Sequence, residues 1–432
     1  MLTAEQNKQL TQVGPGTPMG ELLRRYWMPV AGVSEFEQQA FKPVRLLGED
    51  LLLYKDEGGR FGLIGRHCPH RGADLSLGMV EAEGVRCHYH GWRFDAAGRC
   101  VERPFEHNLD AGQDEKARTQ VRFKGYPVEA KGGLLWAYMG PLPAPLLPDW
   151  EAFSWDNGFT QIVLSEVPCN WFQCQENSID PVHFEWMHEN WGRRLRTGEK
   201  YASARHLKLA FEEFEYGMVY RRVRENMRET DEAWTIGRVC LWPNGFFLGE
   251  HFEWRVPIDD HNTLSVTWKY MRVPKEREPY VQKSIPVWVG PVKDEQGRWI
   301  DTHVMNQDFI AWVGQGVIAD RTVEHLGASD QGVVLMRRRF FEQLEALAAG
   351  KELKGIIRDP ARNVRIALPI VYRDHIVNAH TAAEILAHPT MSLQYKSYIF
   401  QAGQPEEIRR QACEAVGFEM PTFTGVVAAR QA

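Results

Sequence analysis

Two short segments carry the clearest chemistry in the chain. Cys68-Pro69-His70-Arg71-Gly72-Ala73 offers a thiol and an imidazole two positions apart, and Cys87-His88-Tyr89-His90-Gly91-Trp92 offers a second pair three apart. Two thiolates and two imidazoles in paired loops can bind zinc or a two-iron, two-sulfide cluster. Zinc loops usually pair cysteine with cysteine, whereas each loop here supplies one cysteine and one histidine. That split suits a [2Fe–2S] centre in which both cysteines hold one iron and both histidines the other. Pro69, Gly72 and Gly91 add rigid or small positions where backbone N–H groups can approach bridging sulfides. His67 and His88 fall outside the ligand spacing and read as loop or surface residues.

A second set lies in Asn170-Trp171 and in Glu176-Asn177-Ser178-Ile179-Asp180-Pro181-Val182-His183, with His188 five residues further on. Five residues turn an ideal α-helix by about 140° beyond a full turn, so His183 and His188 share a metal only if the helix is distorted there. Two histidines and one carboxylate on one face of an iron leave the other face open for oxygen. Asp301, Asp308, Asp320 and Asp330 are the downstream candidates for that carboxylate, and each reads equally as a helix cap or a surface residue.

The elements that would position these groups follow from turn and cap signals. Thr3-Ala4-Glu5-Gln6 forms a capping box for a short helix, and Thr17-Pro18 opens a second one expected to reach Trp27. From Val44 the texture is β-rich, with Leu51–Tyr54 and Phe61–Ile64 forming a hairpin across Asp56-Glu57-Gly58-Gly59. Four prolines between Pro141 and Pro148 read as a linker. Beyond it, Val182–Glu189 looks helical. Leu264, Val266, Trp268 and Tyr270 alternate with polar residues as in a half-buried strand, and Phe340, Leu344 and Leu347 mark a helix that Gly350 ends. With 432 residues, 44% hydrophobic and 25% charged, the composition is that of a soluble globular protein. A net charge of -6 argues against nucleic acid as a partner, and no apolar run is long enough for a membrane span. Seven cysteines, an odd count, fit a reduced, cytoplasmic setting.

The cysteine and histidine segments together resemble the Rieske signature, and Asn170-Trp171 with the Glu176–His188 segment resembles the mononuclear iron motif of the Rieske non-haem iron oxygenases. The opening Val13–Trp27 is similar to the phthalate dioxygenase-like branch of their oxygenase (alpha) subunits. The resemblance implies an α+β fold, with a small all-β Rieske [2Fe–2S] domain inserted in a larger catalytic domain of mixed antiparallel sheet and helices, a helix-grip, START-like arrangement. The expected division is residues 1–40 as N-terminal helices packing on the catalytic domain, 41–140 as the Rieske domain, and 141–432 as the catalytic domain. Cys68, His70, Cys87 and His90 would hold the cluster. His183, His188 and Asp308 would hold one Fe(II), Asp308 being chosen because Gln307-Asp308 and the apolar stretch after it resemble the third-ligand region. Asp180 would link the two centres by hydrogen-bonding His183 and the partner subunit's His90.

By the same resemblance, the chain is the terminal oxygenase of an aromatic-ring hydroxylating system used in aromatic breakdown. It takes NADH-derived electrons from a reductase that carries FMN and its own [2Fe–2S] domain, and works as a homotrimer or stacked hexamer. The expected reaction is dihydroxylation of a phthalate-like aromatic carboxylate, with monooxygenation or O-demethylation on the same scaffold as the alternative. A substrate carboxylate calls for a buried arginine, and Arg238, flanked by apolar residues, is the candidate. Two readings of other classes remain: an electron-transfer Rieske protein, which would need only the first β module, and a zinc-stabilised interaction protein.

Overall fold

The turn-rich stretch after Val44 forms two four-stranded antiparallel sheets in the computed structural model, which describes residues 1–106, 110–121, 123–399 and 401–419. The first sheet contains Phe41–Leu46, Glu49–Lys55, Phe61–Gly65 and Gly125–Tyr126. The second contains Met79–Glu81, Gly84–Arg86, Arg93–Phe94 and Cys100–Glu102. The expected hairpin is present, in register from Leu51 opposite Gly65 to Lys55 opposite Phe61. Its turn closes on Asp56, whose carboxylate accepts the Arg60 N–H at 2.9 Å. Leu52, Ile64, Leu75, Val85 and Phe94 fill a small core, and the Cys68 and Cys87 side chains belong to it.

The first helix spans Ala4–Thr11 with the capping box made in both directions, Gln6 N–H to Thr3 Oγ1 and Thr3 N–H to Gln6 Oε1. The second helix starts at Pro18 with Thr17 as its cap but stops at Leu23, short of the expected Trp27. Pro29 has no N–H to donate within a helix and biases Met28 toward extended backbone, so no helix runs past Trp27, and the pairing of Trp27 with Tyr138 draws the chain out of the helix before that. Trp27–Gly32 is instead a strand, paired with Leu134–Tyr138. The Pro141–Pro148 segment then runs between the two halves of the chain, tied by Trp27 Nε1–H to the Pro145 carbonyl and by Leu146 N–H to the Ile357 carbonyl.

The larger half is built on an eight-stranded sheet. Its order is His206–Phe214, Gly217–Arg224, Arg238–Leu241, Gly245–Phe247, His251–Pro257, Thr263–Arg272, Gly158–Val167 and Val287–Val289, with only the last pair parallel. One face is apolar and carries Ile162, Val239, Phe252, Trp254, Val266 and Trp268, with Trp136 from the small three-stranded sheet packed edge-on against Trp254. The other face differs from the expectation of a half-buried strand. Ser265, Thr267 and Lys269 are also buried, because helices cover that face as well. Trp171–Asn177 reaches it through Gln175 Nε2–H to the Cys240 sulfur, Val304–Gly314 through Trp312 under the Arg255 guanidinium, and Pro389–Ile399 through Tyr398 under Lys269. Helix Gln331–Ala348 packs Phe340 into the core, with Leu344 and Leu347 against it, and ends at Gly350 as expected. Among the described residues, no helix is long and apolar enough to cross a membrane.

Helix Trp171–Asn177 precedes the histidine segment and is anchored by a buried ion cluster. Glu176 accepts from Arg321 Nη2 at 2.6 Å and from Arg337 Nε at 2.6 Å. Both guanidiniums are almost wholly buried, and Arg321 also reaches the Asn7 side chain in the first helix. Removing one member of a buried ion cluster leaves an uncompensated charge. Glu176→Ala is therefore expected to lower stability by about 3–5 kcal/mol, read from the denaturant midpoint at unchanged slope.

Candidate metal centres

The two cysteine-histidine loops are built alike. In each, the cysteine N–H donates to the carbonyl five residues on (Ala73 or Trp92, both 2.8 Å), and the glycine four residues on donates back to the cysteine carbonyl (Gly72 at 2.8 Å, Gly91 at 3.0 Å). Gly72 and Gly91 have φ of 76° and 72°, a region that suits glycine, and a Cβ on Gly91 would meet Pro104 at 2.7 Å. Cys68 and Cys87 are each 2% exposed, whereas His70 and His90 are only half-buried, their rings 4.6 Å apart and edge-on. His70 lies flat on Trp92 at 4.4 Å, and Tyr89 backs His90 at 3.9 Å. Burial pushes the Cys68 thiol up to about 11, and the Cys87 thiol near it adds to the effect. The Cys68 thiol is so held beside that of Cys87, where a bound cation would convert both to thiolates. This donor set fits a [2Fe–2S] cluster with its cysteine side in the core and its histidine side toward the surface. His67 and His88 are exposed, as read from the sequence.

The histidine segment meets the condition that spacing alone imposed. Phe184–Trp191 is a π-helix, and its i→i+5 bonding brings residues five apart toward one face. The His183 and His188 rings stand 5.3 Å apart at 76°. Helix Val304–Gly314 contributes Asp308, whose Oδ1 lies 3.7 Å from His183 Nε2 and 3.5 Å from His188 Nε2. One donor atom from each of the three lies within 4.8 Å of the other two. Asp301, Asp320 and Asp330, the other candidates, are not part of this group.

Each imidazole is also held from behind. Asp180 Oδ2 lies 3.5 Å from His183 Nδ1, while Asp180 Oδ1 accepts the Val182 N–H. Gln307 Oε1 lies 3.0 Å from His188 Nδ1, and Asn177 Nδ2 donates to Asp308 at 3.3 Å. Gln307 and Asn177 had no role assigned from sequence; each adjoins a motif residue, which was the available signal. His188 Nε2 is buried with no hydrogen-bond partner among the described residues, as a metal-facing nitrogen should be. Burial opposes the charged form of His188, but Asp308 and Gln307 outweigh it and raise the imidazole above its usual range. The set of two imidazoles and one carboxylate, with outer partners, fits a non-haem iron.

Arg238 is near this group but not in it. Its guanidinium lies 4.7 Å over the Phe184 ring, which itself touches both His183 and His188. Arg238 Nη1 is buried without a hydrogen-bond partner among the described residues. Arg222, 5.2 Å from the same ring, is instead engaged by Glu185.

A buried-thiol cluster site and a two-histidine, one-carboxylate site in one chain define an oxygenase of the kind that couples an iron–sulfur centre to a non-haem iron. Comparison with known proteins agrees. Residues 26–115 match the Rieske [2Fe-2S] domain family, and residues 253–385 match the family described as LigXa C-terminal domain like. The chain is 59% identical over 416 residues to the 5,5'-dehydrodivanillate O-demethylase oxygenase subunit of Sphingobium sp. strain SYK-6, covering 96% of this chain and 97% of that one. It is 30% identical to the phthalate 4,5-dioxygenase oxygenase subunit of Pseudomonas putida, covering 82% and 89%. Among solved structures, NdmA of Pseudomonas putida CBB5 (a mutant with theobromine) matches in fold at TM-score 0.52 and 20% identity, covering 76% of this chain and 93% of that one.

The chain belongs to the Rieske oxygenase family. It is an oxygenase subunit that joins a Rieske domain to a larger α+β catalytic domain, with one [2Fe–2S] cluster and one mononuclear iron per chain, and it works with a reductase that holds the flavin and meets NADH. Metal analysis of anaerobically purified protein is expected to give about three iron and two acid-labile sulfide per chain. His183→Ala should lower iron to about two with an unchanged Rieske spectrum, whereas Cys87→Ser should abolish that spectrum. Full iron in His183→Ala would move the iron elsewhere.

Proposed function

We propose that this chain is the oxygenase subunit of an O-demethylase acting on a methoxylated aromatic acid, with Cys68, Cys87, His70 and His90 holding the cluster and His183, His188 and Asp308 the iron. The observation that carries the reading is the 59% identity, over nearly the full length of both chains, to a dehydrodivanillate O-demethylase oxygenase subunit. Dihydroxylation of a phthalate-like acid, the first expectation from sequence, has the weaker support of a relative at 30% identity. The same iron ligands serve both reactions, so the difference lies in which bond the pocket presents.

The reaction balances as a monooxygenation. One atom of O2 enters a methyl C–H bond, and the resulting hemiacetal breaks its C–O bond to give a phenol and formaldehyde. The other atom leaves as water, with two electrons from NADH and two protons. When bound, the cluster supplies single-electron transfer and the iron supplies oxygen activation.

The chain's own residues orient these groups. Gln307 accepts the Nδ1–H of His188, which leaves the Nε2 lone pair for metal, and the Asp180 carboxylate, 3.5 Å from His183 Nδ1, favours the same orientation of His183 by its charge. Asn177 steadies Asp308. The Asp180 side chain is 30% exposed and the histidine side of the cluster loops is half-exposed, which supports electron passage between subunits of a cytoplasmic head-to-tail trimer. Arg238, whose Nη1 is buried near the iron histidines with no hydrogen-bond partner among the described residues, suits a substrate carboxylate.

With reductase, NADH and O2, the protein is expected to release one formaldehyde per methoxyl consumed from a methoxylated biaryl acid. Consumption of phthalate to a dihydrodiol without formaldehyde would reverse the preference. Asp180→Asn should retain both metal centres yet slow reoxidation of the reduced cluster by about 10–100-fold, followed by stopped-flow absorbance with substrate present. Unchanged reoxidation would remove Asp180 from the electron path.

A further inference from the structure

The two ligand histidines of the cluster loops are each backed by an aromatic ring that carries an arginine, but not with equal firmness. The His70 ring lies flat on Trp92, with centroids 4.4 Å apart and planes 4° apart, and the Arg103 guanidinium stands over the same indole at 5.4 Å. His90 has Tyr89 behind it at 3.9 Å and 40°, with the Arg71 guanidinium 5.6 Å over that ring. Tyr89 is 56% exposed and Arg71 is exposed, whereas the Arg103 side chain is 8% exposed. A guanidinium held out of water over an aromatic face is worth more than one left in solvent. One imidazole therefore rests on a buried stack and the other on a solvent-facing one.

The buried stack has its own support. Arg103 donates to Asp114 Oδ1 from Nη2 at 2.6 Å and from Nε at 3.2 Å. The other Asp114 oxygen accepts from Arg118 Nε at 2.8 Å, and Arg118 Nη1 donates to the Val101 carbonyl at 3.1 Å. Asp114 and Arg118 lie on helix Ala111–Gln120, of which no described side chain is fully buried. Apolar packing does not hold such a helix in place, so its bonds to Arg103 and to the Val101 carbonyl are what seat it. Neither Arg103 nor Asp114 belongs to the ligand motif; they reach His70 through Trp92.

We propose that Arg103, seated by Asp114, is a positioning residue of the cluster: through Trp92 it fixes the plane of the His70 ligand, and its charge sets how readily the cluster accepts an electron. Outer partners that fix a ligand ring tune the metal it binds. Reduction adds one negative charge, so a nearby cation favours the reduced form and an unbalanced carboxylate disfavours it. The ion pair works as a balance, since losing Arg103 leaves an acid behind and losing Asp114 frees a cation. The inference rests on the [2Fe–2S] assignment and is independent of which bond the oxygenase attacks.

The test is a spectroelectrochemical titration of the full-length protein without reductase or substrate, read per cluster after iron and acid-labile sulfide are counted. In Arg103→Gln the equilibrium constant for taking up an electron is expected to fall about threefold to tenfold, a shift of about 30–60 mV to more negative potential at about 59 mV per tenfold. In Asp114→Asn it should rise by a similar factor, and in Arg103→Lys, which keeps the charge, it should stay within about twofold of the wild type. Shifts of the same sign in Arg103→Gln and Asp114→Asn, or none in either, overturn the proposal, because a merely structural contact carries no sign. Trp92→Leu should alter the g-values of the reduced cluster's electron paramagnetic resonance signal, while Trp92→Phe retains them; an unchanged signal in Trp92→Leu overturns the orienting role. If Arg103→Gln binds no cluster, Asp114→Asn and Arg103→Lys decide with the same signs. Failure of those two to load a cluster makes the contact structural and overturns the proposal as well. A wild type without acid-labile sulfide overturns the cluster assignment itself, and this inference with it.

Discussion

A carboxylate taken out of water must be met by cations or protons, and Glu185 is met by three groups. Its two oxygens are held by Arg222 at 2.7 Å, Arg224 at 2.9 Å and His206 at 2.7 Å, all from the first two strands of the large sheet. Burial alone would raise this carboxyl, but His206, Arg222 and Arg224 outweigh that and hold it below its usual range. The clamp fixes the rotation of the Phe184–Trp191 helix on the sheet. With the rotation fixed, His183 and His188 face Asp308, Phe184 faces Arg238, and Trp186 is left in solvent.

The iron group itself is assembled from segments that are far apart in the chain, so its precision depends on contacts behind the donors. Gln307 takes His188 Nδ1 in a hydrogen bond and Asp180 stands 3.5 Å behind His183 Nδ1, so both imidazoles are backed on the side away from Asp308. The cluster loops solve the same problem by local means. Each is a single closed turn with its own glycine, and its hydrogen bonds run within six residues. One centre is therefore a property of two turns, and the other is a property of the whole catalytic half.

This difference explains what was legible in the sequence. Cys68, His70, Cys87 and His90 were readable because a self-contained turn leaves its full pattern in contiguous residues. His183 and His188 were ambiguous because an α-helix would point them apart, and nothing local announces that the helix there takes the wider π form. Asp308 could be chosen among four aspartates only by resemblance, since convergence across more than a hundred residues leaves no spacing rule. The Thr263–Arg272 strand was misjudged in a more instructive way. Its alternation is real, but alternation separates two faces without saying that both are covered. Helix Pro18–Leu23 ended early because Trp27 is drawn into a strand opposite Tyr138, a pairing across more than a hundred residues that no local signal announces.

The Glu176–Arg321–Arg337 cluster joins parts of the protein that look unrelated in sequence. Arg321 bonds the Asn7 side chain, its carbonyl receives the Leu2 N–H, and Asn170 at the start of the Trp171–Asn177 helix bonds the Thr11 carbonyl. That helix ends in Asn177, which touches Asp308. The first dozen residues are thus a foundation of the iron site rather than a dispensable leader. What the first helix holds through Asn7 and the Thr11 carbonyl is thus the base on which the Trp171–Asn177 helix, and with it Asn177, is seated.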